Sequence, residues 1–249
     1  MRTFGLIGYP LEHSFSPAYF KEKFAQEGIG ARYKLFPLKH ISELPDLVHQ
    51  YPCLEGLNVT IPYKKKVISY LSEIGGVARE IQSVNTLLIQ RRPELHLTGH
   101  NTDVTGFKKS LENHLKAPVD HALILGTGGT AQTVSYVLKQ KGIPFLFVSR
   151  SCKENQTSCI SYEELFSLRM EDYPLIINTT PLGMYPETDT FPDIPYLSLT
   201  PKHLLFDVIY NPGETRFLQY GREAGASTVN GTEMLQYQAE ESWRLWNTF

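Results

Sequence analysis

The chain has 249 residues, of which 41% are hydrophobic and 20% charged, enough to bury one large or two modest cores without covalent staples. A formal net charge of -2 and a pI near 6.5 leave no basic footprint for nucleic acid or an anionic membrane, so a small molecule is the expected partner. Cys53, Cys152 and Cys159 are an odd number without a C-x-x-C pair and read as reduced thiols, neither a disulfide framework nor a zinc site. The stretch before Gly8 and Pro10 is too short for a signal segment, and apolar runs such as 122–125 and 144–148 fall far short of the roughly 20 residues that span a bilayer. A cytoplasmic enzyme is the default class.

Short apolar runs alternate with helical patterns along the chain, which predicts α/β layers around mainly parallel sheets. The first half predicts a strand at 4–8, a helix at 17–26, a strand at 33–36, a helix at 42–50, a strand at 56–60 and a helix at 63–71. Residues 86–90 and 95–99, separated by Arg91-Arg92-Pro93-Glu94, read as a hairpin. A helix follows from Asp103 through Phe107, Leu111 and His114, and the punctuated segment Ala117-Pro118-Val119-Asp120 leads to a strand at 121–125. Later strands fall at 145–148, 175–178 and 204–208, and a final helix over 232–246 carries Leu235, Ala239, Trp243 and Trp246 at helical spacing. The domain boundary is placed at Asp103, giving domains of 1–102 and 103–231.

In the second half, Gly126-Thr127-Gly128-Gly129-Thr130-Ala131 runs from a strand through a glycine turn into a helix. Backbone amides at such a helix start approach a pyrophosphate closely, with the helix dipole favouring the anion. Gly126 and Gly128 keep the first two positions of the G-x-G-x-x-G fingerprint, and Ala131 takes the third. The next strand ends in Ser149-Arg150-Ser151, where an NAD enzyme carries an acidic residue for the ribose 2′-hydroxyl. A guanidinium there suits a 2′-phosphate, which points to NADP.

In the first half, Asn58-Val59-Thr60-Ile61-Pro62-Tyr63-Lys64 puts an amide, a hydroxyl and an amine beside a stiffening proline, which is equipment for holding and deprotonating a polyol. Lys64 equally opens the solvated run Lys64-Lys65-Lys66. Ser16-Pro17 reads as a helix N-cap followed by the first helical position. Asp103 fits an N-cap, a role compatible with chemistry.

Four segments resemble the shikimate dehydrogenase family, in order and over essentially the whole length: Glu12-His13-Ser14-Phe15-Ser16-Pro17, the Asn58 to Lys64 stretch, Gly99-His100-Asn101-Thr102-Asp103, and Gly231-Thr232-Glu233-Met234-Leu235-Gln236-Tyr237-Gln238. The Gly126 to Gly129 turn lies between them. The resemblance implies an N-terminal substrate domain, a Rossmann-type NADP-binding domain, and a C-terminal helix, 232–249, that returns to complete the first domain. It implies reversible NADPH-dependent reduction of 3-dehydroshikimate to shikimate, with Lys64 as acid/base, alone or shared with Asp103. By the same resemblance Ser14, Ser16, Asn58, Thr60, Asn85, Asp103, Tyr210 and Gln238 contact substrate, the serines and Tyr210 at its carboxylate. The cofactor set is Gly126 to Ala131, Ser149, Arg150, Ser151, Lys153, Thr179, Val208 and Gly231. Tyr19-Phe20 stands where many members carry His-Asn, and Ser149 and Ser151 flank Arg150 where Asn-Arg-Thr is frequent. No metal is implied, and the expected assembly is a monomer or homodimer. The alternatives are a quinate/shikimate dehydrogenase and a non-catalytic sensor of nucleotide and cyclitol acid; retention of Lys64 and Asp103 argues against the sensor.

Overall fold

The computed structural model describes residues 1–11, 14–152 and 158–248. The chain divides into two compact units, one comprising Met1–Thr102 with the chain from Ala239 onward, the other Asp103–Gln238. The first contains β1 (Arg2–Gly8), α1 (Ser16–Gln26), β2 (Ala31–Pro37), α2 (Leu44–Gln50), β3 (Leu54–Val59), β4 (Glu73–Ile74), α3 (Gly76–Ile81), β5 (Thr86–Gln90) and β6 (His96–His100). The second contains α4 (Asp103–His114), β7 (Ala122–Leu125), α5 (Gly129–Gln140), β8 (Phe145–Val148), β9 (Cys159–Ile160), α6 (Tyr162–Leu165), β10 (Leu175–Asn178), β11 (Leu204–Asp207), α7 (Arg216–Glu223) and β12 (Ser227–Val229). The last helix, α8 (Thr232–Trp246), belongs to the second unit as far as Gln238 and to the first from Ala239.

The first sheet has the order β2-β1-β3-β5-β6-β4. Of its described strands only β5 runs against the others, paired antiparallel with β3 and, through the predicted hairpin, with β6. One face is covered by α2 and its neighbours, with Leu44, Leu54, Leu57, Leu87 and Val84 fully buried there. The other carries an aromatic cluster in which Phe4, Phe20, Phe24 and Trp246 pack around Ala239 and Leu88. Of the predicted stripe of Leu235, Ala239, Trp243 and Trp246, Ala239 and Trp246 are buried, joined by Ser242, while Leu235 and Trp243 are only half-buried.

The second sheet is parallel throughout its described ladders, in the order β12-β11-β10-β7-β8-β9. β7, β10 and β11 are four-residue runs buried at every position, as strands covered on both faces must be. The order reverses between β7 and β10, and the crevice outside the carboxyl ends of those two strands is where ligands of doubly wound sheets sit.

Three expectations are corrected. Residues 63–71 do not form an α-helix; a 3-10 helix covers only Lys66–Tyr70. The Lys64 carbonyl accepts the Val84 N–H at 2.8 Å and so is not spent on a helical bond, while the Tyr63 ring is buried with its hydroxyl on the Leu38 carbonyl at 2.7 Å. Helix α1 begins at Ser16, with Phe15 in the cap position and no side-chain cap, so Ser16 is its first residue and not its N-cap. Cys152 and Cys159 are joined in a disulfide, because the pairing of β8 with β9 brings their Cα atoms to 5.7 Å, inside the range a disulfide spans. Cys53 is the free, exposed cysteine.

Candidate active site

In the first unit the Asn58 to Lys64 segment leaves β3 and turns back over the sheet. Thr60 N–H donates to the Ile7 carbonyl at 2.9 Å and Tyr63 N–H to the Thr60 carbonyl at 2.9 Å, so the loop is tied to β1 and to itself before it reaches Lys64. Lys64 is half-buried, unlike Lys65 and Lys66, which are exposed. That difference separates it from a solvated charge run.

Asn58 and Asn85 are 4% and 3% exposed, unusual for amides unless their hydrogen-bonding groups are met. Tyr33 donates to Asn58 Oδ1 at 2.7 Å, and Asn58 Nδ2 donates to Ser242 Oγ at 2.9 Å. Asn85 Oδ1 accepts the Thr102 N–H at 2.7 Å, and its Nδ2 donates to Thr102 Oγ1 at 3.0 Å. Asn85 thereby fixes the backbone immediately before Asp103. Ser14 donates to the Leu11 carbonyl at 2.9 Å, and Ser16 is buried. Tyr33, Thr86, Thr102 and Ser242 were not singled out from the sequence; the available signal was a serine on the apolar face of the last helix.

In the second unit Asp103 is the first residue of α4 and is 7% exposed. Gly106, one turn on, lies against α8: a Cβ there would stand 2.5 Å from the Met234 carbonyl oxygen and 3.0 Å from Gln238 Cβ. Only glycine lets the two helices approach that closely, and Gln238 is held at this crossing with its Nε2 on the Leu235 carbonyl at 3.1 Å.

The glycine turn stands at the switch point of the sheet. Gly126 has φ +102°, and a Cβ on it would press within 3.0 Å of Thr179 Oγ1 and 3.1 Å of Thr180 Cγ2, so the position demands glycine. Thr179 lies across the crevice floor, its hydroxyl on the Leu125 carbonyl at 2.6 Å. At Gly128 and Gly129 a Cβ would meet nothing within 4 Å, and α5 starts there with no side-chain cap and no acidic residue in its first turn. This open cradle at a positive helix end fits a pyrophosphate. Thr127 and Thr130 are half-buried beside it, whereas the Ala131 side chain is fully buried in the core, so only its backbone can face a ligand. Arg150 is exposed just past the end of β8, between Ser149 and Ser151, whose backbone N–H reaches Ser149 Oγ at 3.3 Å. Lys153 lies outside the described residues.

Val208 and Gly231 meet beyond β11, where Tyr210 is half-buried. A Cβ on Gly231 would stand 2.2 Å from the Val208 carbonyl oxygen, and its N–H donates to the Ile209 carbonyl at 2.9 Å, so a glycine lets the chain cross directly over Val208. The loops after β10 and β11 are tied together by a pair that sequence reasoning missed. Asp207 accepts from Thr215 Oγ1 at 2.6 Å, from the Ile209 N–H at 3.0 Å and from Asn178 Nδ2 at 3.1 Å. Asn178 Oδ1 in turn accepts from Thr180 N–H at 3.0 Å.

Asp207 is completely buried, and desolvation pushes its carboxyl up to about 6 from 3.8 against the opposing pull of the three hydrogen bonds. A folded-state value above the unfolded one means that the native protein holds the proton more tightly. The resulting stabilisation is full below pH 4 and is lost as pH rises through 6, amounting to about 3 kcal/mol. Asp207→Asn, which cannot ionise, removes this dependence. In urea unfolding at pH 4.5 and 7.5, the wild type is expected to lose stability relative to the variant by roughly 2 kcal/mol or more over that interval. A difference that does not change with pH would refute the assignment.

No group of three or more His, Cys, Asp or Glu side chains among the described residues is placed to hold a metal ion, and no described helix is long and apolar enough to cross a membrane.

Residues 6–87 match the family model of the shikimate dehydrogenase substrate binding domain. A shikimate dehydrogenase (NADP(+)) from Clostridium beijerinckii is 38% identical over 99% of this chain and 92% of its own length. The crystal structure of shikimate dehydrogenase 1 from Peptoclostridium difficile superposes with a TM-score of 0.87 at 35% identity, covering 99% of this chain and 91% of the other. A Thermus thermophilus shikimate 5-dehydrogenase in complex with NADP(H) and shikimate reaches 0.84 at 26% identity, covering 100% and 94%. Quinate dehydrogenase from Corynebacterium glutamicum in complex with NAD reaches 0.85 at 29%, covering 100% and 94%. With near-full-length relatives well above 30% identity and both halves folded as described, the chain belongs to the shikimate dehydrogenase family.

Proposed function

We propose that this protein is an NADP-dependent shikimate dehydrogenase that interconverts 3-dehydroshikimate and shikimate, on the route to chorismate and the aromatic amino acids. The observation that carries the reading is the half-buried Lys64 on a tethered loop next to the buried amides Asn58 and Asn85, in a chain of this family. Residues 1–102 with the C-terminal segment 232–249 form the substrate domain, and residues 103–231 the cofactor domain. The protein acts in the cytoplasm as a monomer or homodimer.

Ser14 and Ser16, with Tyr210, bind the substrate carboxylate. Asn58, Thr60, Asn85, Asp103 and Gln238 read the ring hydroxyls, since amides, hydroxyls and a carboxylate together offer both donors and acceptors. The turn from Gly126 to Ala131 cradles the pyrophosphate, while Arg150, with Ser149 and Ser151, binds the 2′-phosphate and Lys153 serves as a second cation. Thr179, Val208 and Gly231 line the nicotinamide side. When bound, the nicotinamide supplies or accepts the hydride. Lys64 donates a proton to the oxygen that develops negative charge during carbonyl reduction and accepts it back from the hydroxyl in the reverse direction. Asp103 orients the ammonium and the substrate, or shares the proton transfer.

The test is the initial rate of nicotinamide absorbance change with shikimate or quinate and with NADP or NAD. Fast oxidation of shikimate with NADP is expected. A preference for quinate would move the protein to the quinate-using branch, and ligand binding without turnover would make it a sensor. In the same assay Arg150→Ala is expected to raise KM for NADP about 10-fold to 100-fold while leaving KM for NAD nearly unchanged, because a guanidinium bonded to a phosphate contributes a charge-assisted pair that NAD does not offer. Equal effects on both cofactors would remove Arg150 from 2′-phosphate recognition.

A further inference from the structure

The two amides assigned to the ring hydroxyls are set in a buried chain of hydroxyl groups that the proposed mechanism does not use. Ser242 is fully buried on the face of α8 that also carries Ala239 and Trp246, a place where apolar packing alone calls for alanine. Its Oγ accepts from Asn58 Nδ2 at 2.9 Å and lies 2.9 Å from Thr86 Oγ1 and 3.1 Å from Thr102 Oγ1. Thr102 Oγ1 accepts from Asn85 Nδ2 at 3.0 Å, which carries the chain to the second amide. At its other end Tyr33 donates its single proton to Asn58 Oδ1 at 2.7 Å.

The Asn58 amide faces with its oxygen to the Tyr33 phenol and its nitrogen to Ser242, and the Asn85 carbonyl, which can only accept, lies 3.4 Å from that nitrogen. One lone pair of Oδ1 stays available, and the second N–H is engaged only by longer contacts, 3.3 Å to Thr86 Oγ1 and 3.4 Å to the Asn85 carbonyl. A substrate hydroxyl meets an acceptor and a loosely held donor in a preset order, and a rotated amide would present them reversed.

We propose that Tyr33 and Ser242 are positioning residues that lock the Asn58 amide and, through Thr86 and Thr102, the Asn85 amide, in the orientation that reads the ring hydroxyls. The inference rests on the activity proposed above. Buried networks of this kind hold groups in a productive geometry only while every member is met, so removal of either end frees the amide to rotate. Neither residue touches the reacting carbon or the cofactor, so the effect falls on ring-acid affinity.

Steady-state kinetics on wild type, Tyr33→Phe, Ser242→Ala and the double variant, with thermal midpoints for each, test this. Each single variant is expected to raise KM for shikimate about tenfold, the worth of one to two hydrogen bonds, with kcat within about threefold and KM for NADP unchanged. The double variant is expected to rise little beyond the larger single effect, because both substitutions release the same amide. Unchanged KM for shikimate in both variants overturns the inference, as do fully additive effects or matching losses in kcat and in affinity for NADP, the pattern of general loosening. Should Ser242→Ala fail to fold, Tyr33→Phe decides alone, since its ring keeps the stack on Phe20 at 4.6 Å between centroids. A wild type that does not turn over shikimate overturns the proposed activity and this inference with it; a fully active wild type with indistinguishable variants overturns this inference only.

Discussion

Lys64→Ala is expected to lower kcat for shikimate oxidation by about 10²–10⁴, the range a positioned acid/base contributes, with a smaller change in KM. The geometry makes this substitution a clean one. The backbone at Lys64 is fixed by its carbonyl on Val84 N–H, and the preceding loop by the Thr60 N–H on Ile7 and the buried Tyr63 ring, none of which depends on the lysine side chain. Alanine therefore removes the ammonium and leaves the loop in place. In the proposed assignment Asn58, Asn85, Ser14 and Ser16 remain to bind the ring acid, so affinity is expected to persist while proton transfer is lost. Saturation kinetics in both directions, with circular dichroism to verify folding, provide the measurement. A turnover within threefold of wild type would take Lys64 out of the chemistry and leave Asp103 as the acid/base.

The largest stability effect is expected at Trp246, where substitution by alanine should cost about 3–5 kcal/mol, as for other large aromatic side chains deleted from a core. Trp246 is 2% exposed, stacks on Phe4 at 4.7 Å and meets Phe20 at 5.5 Å between centroids. Its Nε1–H donates to the Leu87 carbonyl at 2.9 Å, and its ring fills the space over Gly56, where a Cβ would stand 2.2 Å from Nε1. The loss thus combines a cavity, a hydrogen bond to a buried carbonyl and the aromatic contacts, which places it toward the upper end of the range. Trp246→Phe keeps most of the ring contacts and loses the hydrogen bond, so a smaller loss is expected. Urea unfolding gives the free energies, and a loss below about 1 kcal/mol for the alanine variant would contradict the packing described.

The sequence by itself determined the features that depend on local spacing. The fully buried strands β7, β10 and β11 are legible because a short apolar run between turn residues has few other uses, and Gly126 and Gly128 are legible because they follow directly on β7, Arg150 because it follows the apolar run of β8. The hairpin of β5 and β6 announced itself through Arg92-Pro93 between two apolar runs. Strands of two or three residues, β4, β9 and β12, have no period to detect, and the short helices α3, α6 and α7 have too few turns to stand out.

Only the tertiary structure decided the partnerships made across long stretches of chain. Asn58 meets Ser242 from 184 positions away and Tyr33 from 25, so no local pattern marks either contact. Parallel pairing of β8 and β9 turned two cysteines with no recognisable spacing into a disulfide. The Val84 N–H took the Lys64 carbonyl and left a 3-10 turn where periodicity asked for a helix. In each case a polar group had several ways to be satisfied, and the choice was made by which backbone the folded sheet brought within hydrogen-bonding distance, a quantity fixed by strand order and not by neighbouring residues.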